Sequence, residues 1–159
     1  GQTPFGLAQS LGIPRAEAAA FIDDYFRRFA KVRLFIDTVV AEARARGYVT
    51  TLAGRRRYVP QIASSNRNEA MQGERTALNS TIQGSAADLI KRAMLRCETM
   101  LPAGCRLLLQ IHDELLVEAP AQQADAAACA LREAMAGAWK LDVPLVADLK
   151  IGADWLAVS

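Results

Sequence analysis

Hydrophobic positions in the first third of the chain recur at intervals of three and four. Ala18, Phe21, Ile22, Tyr25, Phe26 and Phe29 form one such stripe, and Val32, Phe35, Ile36, Val39, Val40 and Ala43 form a second. That spacing places each set on one face of a helix, so two amphipathic helices with core-facing stripes are predicted. Thr3 before Pro4 reads as the cap and first-turn proline of a short preceding helix, which Gly12 closes before Pro14 opens the next. Gly47 ends the second stripe. YVTTL at 48–52 and RRYV at 56–59, split by Ala53, Gly54 and Arg55, predict a hairpin with arginines at its turn. Residues 66–100 carry neither a proline nor a loop signature and predict a long central helix. RLLLQI at 106–111 and LLVEA at 115–119 are separated only by His112, Asp113 and Glu114, the pattern of a buried hairpin with acids at its tip. An alanine-rich helix is expected at 122–138, with Leu131 and Met135 inward. Leu145, Ala147, Leu149 and Ile151 then alternate with residues that include Asp148 and Lys150, as in an antiparallel strand with one solvated side.

Helices and a small hairpin followed by helix, hairpin, helix and strand make an α+β fold, with helices packed on one face of an antiparallel sheet. The sequence falls almost directly into a helix, and the chain is therefore expected to be a piece of a longer protein. At 159 residues, with 52% hydrophobic and 23% charged side chains, it has the composition of a globular protein. No apolar run approaches the roughly 20 residues of a membrane span, and no signal-peptide pattern is present, so a cytoplasmic protein without a membrane partner is expected. Cys97, Cys105 and Cys129 are widely spaced and odd in number, which argues for reduced thiols. With His112 the only histidine, a zinc site is also disfavoured. The net charge of +2 does not by itself announce a nucleic-acid binder.

Three segments could carry chemistry. In QIHDELLVEAP at 110–120, acids between apolar strands belong at the turn. Acids are ordinary turn residues, but a tip braced by strands can also hold Mg²⁺ through one or two carboxylates while phosphate oxygens complete its shell. Asp113 is then the ligand and Glu114 its neighbour. In ERTALNSTIQGSAADLIK at 74–91, Arg75, Asn79 and Gln83 form a polar stripe spaced by four. Its amides suit the acceptors that every base pair offers in the DNA minor groove, or else the stripe is buried against the rest of the protein. GRRRY at 54–58 is a basic hairpin tip, either a phosphate grip or a solvated surface.

Together GRRRYVP, ERTALNSTIQGSAADLIK, LLLQIHDELLVEAP and the closing IGADW at 151–155 resemble family A DNA polymerases of the bacterial DNA polymerase I type, in order and over essentially the whole chain. The resemblance implies a right-hand fold in which residues 1–65 are the latter part of a mainly helical fingers subdomain and 66–159 the C-terminal half of an antiparallel palm. It implies that Asp113 binds catalytic magnesium with Glu114 beside it, and that His112 lies near the primer end. Arg75, Asn79 and Gln83 would contact the terminal base pair from the minor-groove side, with Gln110 a neighbouring candidate. Arg55, Arg56 and Arg57 remain the candidates for phosphate. The complete enzyme would bind primer-template DNA and deoxynucleoside triphosphates and use two Mg²⁺ ions.

The family's other metal aspartate and its triphosphate-binding helix lie upstream of the residues supplied. The expected partner is thus the upstream half of the same polymerase, and the chain alone is expected to be inactive. Partial exposure of Phe21, Phe26 and Phe35 is expected on the same ground. Two other readings stand beside this one: a non-catalytic DNA-binding module that uses Asp113 and Glu114 only as turn residues, and a metal-dependent nuclease, which lacks a second acidic cluster or a histidine base.

Overall fold

A computed structural model describes residues 3–158. Two compact units divide between Ile82 and Gln83, inside one long helix, and each has its own core.

In the first unit the Thr3 hydroxyl accepts from the Gly6 N–H at 3.2 Å and caps α1 (Pro4–Leu11), which Gly12 closes at φ 66°. α2 (Arg15–Arg28) and α3 (Ala30–Arg46) are parted at Phe29, whose backbone leaves the helical region. Gly47, at φ 75°, ends α3 and feeds β1 (Tyr48–Thr50), which pairs antiparallel with β2 (Arg56–Tyr58). A 3-10 turn at Pro60–Ala63 leads to Asn66, whose side-chain oxygen accepts from the Asn68 N–H at 2.9 Å. That bond satisfies one of the free donors at the start of α4 (Arg67–Met100). Gly73 allows the 3-10 turn to lie directly on α4, since a β-carbon there would sit 2.6 Å from the Ile62 backbone nitrogen. Ala43, Val49, Val59, Ile62 and Ala77 form the core of this unit, with Val39 packed against it.

The second unit holds the antiparallel pair β3 (Arg106–Ile111) and β4 (Glu114–Glu118), then a 3-10 turn at Ala121–Gln123, α5 (Ala124–Ala136) and the short α6 (Trp155–Val158). Cys97 of α4 meets Leu131 and Ala134 of α5, and Met100, Leu101, Leu115, Val117, Met135 and Leu149 pack around them. Arg96 ties the two helices by donating its Nε–H to the Ala134 carbonyl at 3.2 Å. Among the described residues no helix is long and apolar enough to cross a membrane.

The α+β class holds, with four departures in detail. Residues 145–151 form no strand among the described residues. Leu145, Ala147 and Leu149 are nevertheless half-buried while Val146, Asp148 and Lys150 are exposed, so the two-residue period holds as far as Lys150, but Ile151 is exposed and breaks it. A strand needs a hydrogen-bonded neighbouring strand as well as a period, and among the described residues this segment joins no sheet. The stripes of α2 and α3 bury Ala18 and Ala43 but leave Phe21 61% and Phe35 43% exposed, with Phe26 half-buried. They are not fully core-facing, in keeping with the expected partial exposure of those three aromatics. The β3–β4 hairpin is not buried on both faces either: Leu115 and Val117 pack toward the core while Leu108 and Leu109 are exposed, as suits a two-stranded sheet covered on one side. Finally, α6 had no counterpart among the expected elements. The chain exposes 11403 Å², whereas two separate compact globules of half its mass would together expose about 9,400 Å². Both units therefore keep apolar faces open.

Candidate functional site

Ile111 pairs with Glu114, so the loop between β3 and β4 is only two residues long, His112 and Asp113. Glu114 is the first residue of β4 rather than part of the tip, because the ladder extends one pair further than the apolar pattern indicates. His112 has φ 53° and is the only residue other than glycine with a positive φ among those described. Favoured two-residue hairpin loops fill such positions with glycine, asparagine or aspartate. The Gln110 side-chain amide donates to the His112 carbonyl across this loop. Gln110, His112, Asp113 and Glu114 are all exposed and come together at one end of the hairpin. At its other end Arg106 and Glu118 form an ion pair at 2.7 Å, and a bulge at Leu108 separates the two regions of the ladder.

Arg75 and Asn79 are exposed on α4 in the first unit, separated by one turn and about 6 Å of axial rise. They line a shallow groove of about 570 Å³ with Asn68, Met71, Gln72 and Thr76. The structure therefore does not bury this part of the polar stripe. Asn68 and Gln72 extend the polar face toward the helix start at helical spacings of four and three, a signal available had the stripe been followed back beyond Arg75. Gln83, the first residue of the second unit, is likewise exposed.

Arg55, Arg56 and Arg57 are exposed on the β1–β2 hairpin. The Thr51 N–H donates to the Arg55 carbonyl at 2.9 Å and the Thr51 hydroxyl accepts from the Arg55 N–H at 3.2 Å, closing the loop around Gly54 at φ 80°. The Arg56 guanidinium lies 4.9 Å from the Tyr48 ring centroid, and Tyr48 meets Tyr58 edge-on at 5.7 Å. These tyrosines had no place in the sequence reading, although their positions at the outer ends of the paired strands make them cross-strand neighbours.

Asp113 and Glu114 are hard oxygen donors of the type Mg²⁺ prefers. No group of three or more histidine, cysteine, aspartate or glutamate side chains comes together among the described residues. An ion at this tip would accordingly take its other ligands from water, phosphate or a further protein segment.

The sequence profile of DNA polymerase family A matches residues 1–157. This chain belongs to DNA polymerase family A. It is 47% identical over 160 aligned positions to the thermostable DNA polymerase I of Thermus aquaticus, covering 100% of this chain and 19% of that relative. It is also 47% identical over 158 positions to DNA polymerase I of Bacillus subtilis, covering 98% and 18%. Among solved structures it is similar to the POL domain of Pol1 from M. smegmatis in complex with DNA primer-template and dNTP. That match has a TM-score of 0.92 at 44% identity and covers 99% of this chain and 28% of the other. The family A chain described here thus spans about a fifth of the length of the curated relatives it matches.

Proposed function

We propose that this chain is the C-terminal fingers and palm portion of a DNA-directed DNA polymerase acting in DNA replication and repair in the cytoplasm. Residues 1–65 are assigned to fingers and 66–159 to palm. The observation that carries the reading is the two-residue tip of the β3–β4 hairpin, which presents Asp113 to solvent with Gln110, His112 and Glu114 around it in a chain of this family.

In this reading Asp113 is a metal ligand, Glu114 adds negative charge beside it, and His112 lies at the primer terminus. Arg75, Asn79, Gln83 and Gln110 reach minor-groove acceptors of the terminal base pair, where every pair presents acceptors in similar places, so the contacts test shape rather than sequence. Arg55, Arg56 and Arg57 neutralise backbone phosphates, with Tyr48 holding Arg56 in place from below. Two Mg²⁺ ions, when bound, would activate the primer 3′-hydroxyl and stabilise the pyrophosphate leaving group. The substrates are primer-template DNA and deoxynucleoside triphosphates, and the remaining ligands and the triphosphate grip come from the upstream half of the same polymerase.

The reading is tested by titrating Mg²⁺ and a fluorescent primer-template against the chain, with and without an incoming nucleotide, and repeating the titration with Asp113→Ala. Weak, salt-dependent DNA binding without primer extension is expected, with Asp113→Ala changing only the response to metal. DNA binding that ignores metal in both proteins would instead favour a non-catalytic binding module. Metal-dependent primer extension by the chain alone would show that a second carboxylate lies within these residues.

A further inference from the structure

A histidine at positive φ costs more than a glycine would, because its β-carbon crowds the backbone carbonyl in that conformation. In a two-residue loop the ladder pairs the residues on either side, here Ile111 and Glu114, and leaves the carbonyl of the first loop residue without a ladder partner. In this chain that carbonyl belongs to His112, and the Gln110 amide donates to it. The His112 carbonyl lies in the peptide plane that joins His112 to Asp113. Holding the oxygen restrains that plane, and the plane, together with φ of Asp113, sets the direction in which the Asp113 β-carbon leaves the backbone.

We propose that Gln110 is a positioning residue, whose side-chain amide locks the His112–Asp113 peptide and so aims the Asp113 carboxylate. The inference rests on the reading of Asp113 as a metal ligand. It gives Gln110 a role separate from any contact with DNA, since the amide keeps a second N–H and its oxygen free for that purpose. Leucine matches glutamine in bulk but donates nothing, so Gln110→Leu removes the lock. Asparagine enters the left-handed region at little cost, so His112→Asn lets the loop hold itself.

The test uses the full chain as wild type, Gln110→Leu, His112→Asn and the double variant. One-bond Cα–Hα couplings of residues 112 and 113 report the sign of φ, and Mn²⁺ titration followed by electron paramagnetic resonance reports metal affinity. Gln110→Leu is expected to shift both couplings and to weaken Mn²⁺ binding roughly fivefold, the population change that one net hydrogen bond produces. In the His112→Asn background the same substitution is expected to change neither. Unaltered couplings in Gln110→Leu, or an equal loss of Mn²⁺ affinity in both backgrounds, would overturn the positioning role. Failure of the metal reading is separately visible, as Mn²⁺ binding that Asp113→Asn leaves unchanged while the couplings respond to Gln110→Leu.

Discussion

Among the described residues the molecule has two hairpins with charged tips, and they are built differently. The β1–β2 hairpin has three pairs, from Tyr48 with Tyr58 to Thr50 with Arg56, and a loop that uses Gly54 for its positive φ and Thr51 for its closing bonds. The β3–β4 hairpin is longer, turns in two residues, and puts a histidine where a glycine would cost less. The Gly54 loop keeps its shape from glycine's backbone freedom together with the Thr51 bonds inside the loop, and in their proposed role the arginines around it need only reach outward to a diffuse phosphate field. In the hairpin where Asp113 is proposed to bind metal, the loop has two residues and the Gln110 side chain of the adjoining strand donates to its backbone. Unfavourable backbone conformations persist where their surroundings over-determine them, and they gather at sites of function.

The largest effect separating the two hairpins is expected from Asp113→Ala in the complete polymerase. Groups that merely orient a metal ligand change affinity or activity by about 10- to 100-fold, so loss of the ligand should lower metal-dependent primer extension at least about 100-fold. Single-turnover extension against Mg²⁺ concentration measures this, and a loss of only a few-fold would place the hairpin outside the reaction. Next in size is the backbone contrast. Gly54→Ala forces a β-carbon into φ 80° and should destabilise the chain by about 1 kcal/mol, while His112→Asn should leave it unchanged or stabilise it by a few tenths. Urea unfolding midpoints of the two variants test the difference, and equal shifts would erase it.

A smaller effect is expected from Arg56→Ala. If Arg56 neutralises one phosphate, the slope of log affinity for primer-template against log salt should fall by about 1, uniformly across template sequences. Fluorescence anisotropy at a series of salt concentrations would show this. Asp113→Ala should leave that slope unchanged, which is the contrast between a grip and an aimed group. The smallest expected effect lies away from both tips. Burial pushes the Cys97 thiol above its ordinary value of 9.0, with the Arg96 charge opposing. A thiol with a raised folded-state pKa adds stability that is fully present below its unfolded value and is lost as pH rises through the folded one. Chemical unfolding at pH 8 and at pH 10 should therefore show a small decline toward alkaline pH that Cys97→Ala reduces. The exposed Cys129 should be alkylated first.

Much of this architecture was legible along the chain. Thr3, Pro4, Gly12 and Gly47 mark helix ends through local chemistry that acts within one turn, and they mark them in the structure as well. The polar stripe at Arg75, Asn79 and Gln83 is set by helical spacing alone, and all three side chains are exposed as a binding face requires. The groove beside Arg75 and Asn79 is lined by Asn68, Met71, Gln72 and Thr76 of the same helix.

Residue order by itself determined where α1 begins and ends and where α3 stops, that two hairpins carry charge at their tips, and that Asp113 belongs to a turn. Those features follow from backbone preferences and short-range periodicity, which act between residues close in sequence. Tertiary structure decided the rest. It left 145–150 with a strand's alternation but, among the described residues, no ladder, because pairing depends on a partner edge. It kept Phe21 and Phe35 exposed, because burial depends on what lies opposite a face. It drew Glu114 into β4 and brought the Gln110 amide onto the His112 carbonyl, because register is settled by a whole ladder of bonds and not by any one residue in it.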